Sequence, residues 1–183
     1  TTLNLTDYIK GKQHASGVRP NHKFIVPEFN FELPLQEITL AEKLKEAGYK
    51  TMHIGKWHLG DTGYFPTDQG FDINIAGHHA GMPPTYYYPY CRPENKWAKG
   101  KRKGKPWCLE MLDRSTDQDS LYLTDRLTNE AIRLIENHKD TNFFMYLPFY
   151  SVHTPIEARL DLREYYKKKL DTVDAVNHDW EEY

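Results

Sequence analysis

Thr39-Leu40-Ala41-Glu42 opens the clearest hydrophobic pattern of the chain. It has the form of a capping box, with a hydroxyl at the N-cap and a carboxylate three residues on. Leu40, Leu44 and Ala47 mark the apolar face of the helix that follows, and Gly48 supplies its left-handed stop. Tyr49 to Ile54 reads as a short strand ending at Gly55. The same order returns later. Leu123, Leu127, Ala131, Leu134 and Ile135 recur at helical spacing, and Phe143 to Leu147 is a continuous apolar run, the pattern of a strand buried on both faces. A further helix is predicted around Leu160 to Leu170. Two helix-then-strand units predict an α/β fold, a mostly parallel sheet covered by helices. Two strands alone make a marginal sheet, so the fold is expected to be incomplete in this chain.

Between the two units, Asp61 to Ser120 shows little periodicity. A stretch this long inside a domain is expected to be a functional or mobile loop insertion. It divides into an aromatic part, GHHAGMPPTYYYPY, and a basic part containing Arg92, Lys96, Lys99, Lys101, Arg102, Lys103 and Lys105. Before Thr39 the chain is loop-like, punctuated by Pro20, Pro27 and Pro34, and beyond Leu170 it ends in an acidic tail.

Composition narrows the function classes. A chain of 183 residues has length enough for one core. Its net charge of -2 argues against an obligate nucleic-acid binder, whose domain would be strongly basic. No apolar run approaches the length of a membrane span. No secretory signal is present, although the sequence starts at Thr1 without an initiator Met. Cys91 and Cys108 leave two readings open: one disulfide across a loop, as in an oxidising compartment, or two inert thiols. No Cys/His spacing suggests a zinc site.

Candidate chemistry gathers where the predicted strands end. Ile54-Gly55-Lys56-Trp57-His58-Leu59-Gly60 leaves the first strand, at the position where open α/β sheets bind ligands. In an extended chain Lys56 and His58 would point to the same side, with Trp57 turned into the packing. A cation beside a titratable imidazole suits an oxyanion substrate; the alternative is a surface lysine next to a structural histidine. Tyr150-Ser151-Val152-His153-Thr154-Pro155 follows the second strand, so His153 sits at a strand end of the same kind. If the strands are parallel, His153 can approach Lys56 and His58. His53 faces the same way as neither and reads as structural.

These segments resemble a known family. TLAEKLKEAGYKTMHIGKWHLG resembles the signature of type I, formylglycine-dependent sulfatases, Pro66 to Asp72 their P-x-x-x-GFD turn, and YLTDRLTNEAI with FFMYLPFYSVHTPI the helix and strand that deliver a later active-site histidine. The four motifs stand in the family's order, over most of Leu3 to Ala158. The resemblance implies an alkaline-phosphatase-like α/β sandwich around a mixed sheet, with residues 1–183 forming part of its catalytic domain. It also implies hydrolysis of a sulfate ester, on a sulfated small molecule or glycan, in the periplasm, a lysosome or outside the cell. By match of motif, Lys56 would contact sulfate and the formylglycine, and His58 would hydrogen-bond the formylglycine and help expel sulfate. His153 would bind sulfate and protonate the departing alkoxide.

The family's nucleophile motif, C/S-x-P/A-x-R, does not occur in the sequence. Thr2 to Tyr8 resembles the stretch just downstream of it, so the Cys or Ser that becomes formylglycine is expected upstream of Thr1. The acidic ligands of the family's calcium ion and its second active-site lysine are likewise expected outside these residues, and no metal ligand is assigned here. On its own the chain is therefore expected to be inactive. His78, His79 and Tyr86, in the loop after the GFD turn, are candidates for substrate contact, with a solvated surface loop as the alternative. Two other functions stay open: a phosphate- or phosphonate-ester hydrolase of the same superfamily, and a non-catalytic carbohydrate-binding relative.

Overall fold

The computed structural model describes residues 30–93, 105–113 and 121–170. Thr39 caps the first helix, α1 (Leu40–Glu46), as the capping box predicts: its hydroxyl accepts from the Glu42 N–H (3.1 Å) and the Glu42 carboxylate from the Thr39 N–H (2.6 Å). Gly48, at φ 84°, turns the chain into β1 (Lys50–Ile54). A 3-10 turn (Pro66–Gln69) ends on Gly70 at φ 91° and leads into β2 (Ile73–Ile75). A short pair follows, β3 (Cys91–Arg92) and β4 (Trp107–Cys108), then α2 (Leu123–His138), β5 (Phe143–Tyr146) and α3 (Leu160–Leu170).

β1 lies between β2 and β5 in a three-stranded sheet, parallel to both. The α/β expectation with a parallel sheet is therefore met. The third strand, β2, escaped the sequence reading: Ile73-Asn74-Ile75 is too short to show a period. β3 and β4 form a separate antiparallel pair. One expectation needs correction. β5 is not buried on both faces: Phe143 to Met145 are half-buried and Tyr146 is 48% exposed. β5 is an edge strand among the described residues, so an apolar run cannot be equated with a central position. Ile135, placed on the apolar face of α2, is likewise exposed, whereas Leu123, Leu127, Ala131 and Leu134 are buried as expected.

The chain divides into two compact units. The first comprises residues 1–81, 110–112 and 130–149, the second residues 82–109, 113–129 and 150–183. In the first, Leu33, Ala41, Trp57 and Phe71 form a core cluster, against which Leu59 and Phe144 pack. Asp72 ties the sheet together: it accepts from the Thr51 N–H (3.1 Å) and pairs with Lys45 (2.8 Å). Burial pushes its carboxyl up, but the hydrogen bonds from Lys45 and Thr51 and the charges of Lys45 and Lys50 outweigh this and hold it at about 2.

The second unit has no sheet beyond the β3–β4 pair among its described residues. Cys91 and Cys108, opposite each other there, form a disulfide, which settles the choice the sequence left open. Tyrosine hydroxyls do much of the rest. Tyr87 donates to the Ala158 carbonyl (2.5 Å), Tyr90 to that of Leu121 (3.0 Å) and Tyr122 to that of Glu157 (2.7 Å). The basic run from Lys96 to Lys103, the acidic tail and the Thr2–Tyr8 stretch lie outside the described residues.

Candidate active site

Parallel pairing brings the C-terminal ends of three strands to one edge of the first unit. The registers Ile54 with Ile75 and His53 with Tyr146 align those ends. Past them the backbone is stitched together: Gly55 N–H donates to Ile75 O (2.8 Å) and Lys56 N–H to Pro148 O (2.8 Å). Lys56 and His58 thus emerge from the carboxyl end of the central strand, where such sheets present residues to ligands.

Beyond Ile54 the chain does not stay extended. Gly55 has φ 113°, His58 φ 62° and Gly60 φ 148°. The alternation that put Lys56 and His58 on one side therefore has no strand to act on; the segment coils. Trp57 is nevertheless turned inward as expected, 8% exposed, its indole N–H donating to Tyr64 O (2.8 Å). Lys56 and His58 are both half-buried.

A left-handed backbone is uncommon for a side chain such as histidine and costs energy unless its surroundings impose it. At His58 they do. Its N–H donates to His78 O (3.1 Å), and the ring lies so close to Gly81 that a Cβ there would overlap Nδ1 and Cε1. His78, one of the loop residues singled out in the sequence, is fully buried and accepts from the Ala80 N–H at Nδ1 (3.2 Å). His79 lies beside it, rings 5.4 Å apart, with Nδ1 3.8 Å from the Asp61 carboxylate.

His53 is buried beneath this edge, its ring 5.4 Å from Trp57, 5.4 Å from Phe71 and 5.6 Å from Tyr146. Nε2 lies 3.2 Å from Lys56 O. Burial lowers its pKa to about 4, only partly opposed by that backbone bond and by Asn74, so the ring is neutral at physiological pH. A neutral His53 under the Lys56 carbonyl fits the structural reading from the sequence.

His153 belongs to the second unit. It is exposed, its N–H donates to Tyr150 O (2.9 Å), and its Nδ1 is 3.1 Å from Thr154 O. Its turn is held by Tyr86, whose hydroxyl lies 2.8 Å from Tyr150 O and 3.0 Å from His153 O. The sequence offered Tyr86 as a ring for substrate contact. The ring is 2% exposed and stacked on Tyr122. No motif pointed to Glu157. Its carboxylate accepts from the Thr85 hydroxyl (2.7 Å) and the Tyr86 N–H (2.8 Å) and pairs with Arg92 (3.3 Å), binding together segments that are distant in sequence.

The calcium ion implied by the family resemblance takes six to eight oxygen ligands. The group of metal-capable side chains that the described residues bring together is His78, His79 and Glu110, two imidazoles and one carboxylate. That donor set does not fit calcium.

Residues 11–182 match the Sulfatase family model. The chain is 31% identical to mouse arylsulfatase J over 93% of its own length and 28% of that protein, and 31% identical to mouse N-acetylgalactosamine-6-sulfatase over 82% and 29%. Its fold is similar to the crystal structure of Ps i-CgsB, with TM-score 0.53 and 25% identity over 77% of this chain and 32% of that one. The chain thus spans less than a third of the length of these relatives. With its α/β fold part of an alkaline-phosphatase-like sandwich and the family model matched along nearly its whole length, the chain belongs to the sulfatase family.

Proposed function

We propose that this chain carries the charge-stabilising and proton-moving part of a sulfuric ester hydrolase acting on a sulfated carbohydrate. The observation that carries the reading is the Gly55–Gly60 segment. It leaves the carboxyl edge of a parallel sheet with Lys56 half-buried and His58 held in a left-handed conformation by His78 and Gly81. Strain of this kind, at a cost of about 1–3 kcal/mol, is characteristic of residues fixed for function. Names of relatives favour sulfate over phosphate, and N-acetylgalactosamine-6-sulfatase among them favours a sugar. The disulfide suits an oxidising location, in keeping with a periplasmic, secreted or lysosomal enzyme.

Cleaving a sulfate ester requires charge neutralisation on the sulfate, a nucleophile, and a proton for the leaving oxygen. Lys56 supplies the positive charge. His58, its ring fixed by packing, hydrogen-bonds to the sulfate-bearing group and takes up a proton as sulfate departs. His78 and His79 line the same edge, His78 through the carbonyl that fixes His58 and His79 as a substrate contact. At His153, Thr154 O beside Nδ1 holds the Nδ1 proton, and in the imidazolium form Nε2 carries the second proton, which passes to the leaving alkoxide and leaves the ring neutral. A formylglycine outside residues 1–183 would supply the nucleophile.

The test is a leaving-group series in the intact protein. His153→Ala should lower kcat/KM about 10²- to 10⁴-fold on alkyl and sugar sulfates, and much less on activated aryl sulfates, which leave without a proton. Equal losses on both classes would remove His153 from the acid role.

A further inference from the structure

Next to His153 the second unit holds a cavity of about 980 Å³. Tyr86, Tyr122 and residues of the segment around His153 and Glu157 line one side; the other is a single stripe of α3, in which Leu162, Arg163, Tyr166, Lys167 and Leu170 recur at helical spacing. The charges along this lining are uneven. Glu157 is already committed to Arg92, and Arg159 to Asp125 (3.1 Å) and Asp161 (2.7 Å). Arg163 and Lys167, one turn apart, have no carboxylate partner among the described residues. The cavity therefore presents, among the described residues, two cations without a carboxylate partner beside the exposed ring of Tyr166.

We propose that this cavity is a subsite for a second anionic group of the substrate, on the leaving-group side of the ester. The inference rests on the acid role of His153: the group that receives its proton is the alcohol, so whatever fills a cavity walled by His153 belongs to the alcohol portion. Arg163 and Lys167 then select an alcohol that carries its own negative charge, and Tyr166 packs against the apolar face of its ring. The ligand class is an anionic oligosaccharide, with sulfate or carboxylate as the charged group. A neutral aryl sulfate would leave the subsite empty.

The 183-residue chain can be titrated with three oligosaccharides of equal length: one sulfated, one of unsulfated uronic acids, one neutral. The anionic ones should bind at least tenfold more tightly than the neutral one, with affinity falling as salt rises. Arg163→Gln and Lys167→Gln should each weaken that binding about five- to tenfold. Lys168→Gln, equally basic but outside the cavity stripe, should leave it within twofold. Preference between the sulfated and uronic ligands identifies the anion. Equal binding of the neutral ligand, or equal loss in Lys168→Gln and Lys167→Gln, overturns the subsite. If the intact protein hydrolyses no sulfate ester while the Arg163 and Lys167 dependence persists, the sulfatase reading fails and the anion subsite stands. The converse result rejects the subsite alone.

Discussion

The two units of this chain are held together by different physics. The first is organised by backbone ladders and apolar side chains: three parallel strands, a capped helix and a core of Leu33, Ala41, Trp57 and Phe71. Its buried polar side chains are tied to backbone, the Thr51 hydroxyl to Gly70 O (2.7 Å) and the Gln69 amide to Leu33 O (2.8 Å). The second has little regular structure among its described residues 82–93 and 105–109 and relies on a disulfide, four tyrosine hydroxyls bonded to carbonyls, and one carboxylate that gathers three donors. A unit held by burial is sensitive to whatever charges its interior. A unit held by cross-links and polar bonds is sensitive to whatever cuts them.

Acid should therefore strike the first unit hardest. His53 has a folded pKa near 4 against an ordinary value of 6.5. The unfolded chain binds the extra proton between those values, so the stability contribution is whole above pH 6.5 and is lost as pH falls toward 4. The difference corresponds to about 3 to 4 kcal/mol. Asp72, held near 2 from 3.8, adds its loss only below pH 4, in a separate window. Hydrogen exchange should show protection in β1 and β2 falling from pH 6.5 to 4 faster than around Tyr86–Arg92. His53→Gln should flatten the dependence. Parallel loss in both regions would mean that the two units open as one.

Reduction should do the reverse. The Cys91–Cys108 bond closes a loop of 17 residues' separation. Removing such a constraint costs about 3 kcal/mol in the chain-entropy account. Cys91→Ser with Cys108→Ser, or a thiol reductant, should cut protection around Tyr86–Arg92 and Tyr150–Thr154 while leaving β1 near its original value. Loss centred on β1 would refute the division of labour.

The same contrast explains what was legible in the sequence. Thr39, Glu42 and Gly48 act within ten residues of one another through backbone geometry, so the cap, the helix and the strand after it could be read directly. The Lys56–His58 segment was found by its motif and its place at a strand end, but its shape was misjudged. Alternation describes strands, and the strand stops at Ile54, where Gly55 takes φ 113°. Nothing local marks Glu157. Its partners Thr85, Tyr86 and Arg92 lie 65 to 72 residues away, and a contact of that span leaves no period or spacing to detect. The tyrosines were visible but their use was not: a run of aromatics looks alike whether it faces a ligand or props up a loop.

Tyr86 gives the smallest and sharpest test of that last distinction. Its hydroxyl reaches two carbonyls of the His153 turn, and burial, reinforced by Tyr122, raises its pKa to about 12, so it stays a proton donor throughout the physiological range. Tyr86→Phe keeps the ring and its stacking on Tyr122 and removes only the donor. Leaving the two carbonyls without it should cost about 1 to 2 kcal/mol. Exchange should quicken in residues 150–154, and β1 should not change. If Tyr86 instead acted by contacting substrate, the variant would keep the protection of that turn and lose only ligand affinity. A turn that loosens, with His153 on it, makes Tyr86 a positioning residue: it reaches the chemistry through the backbone it holds.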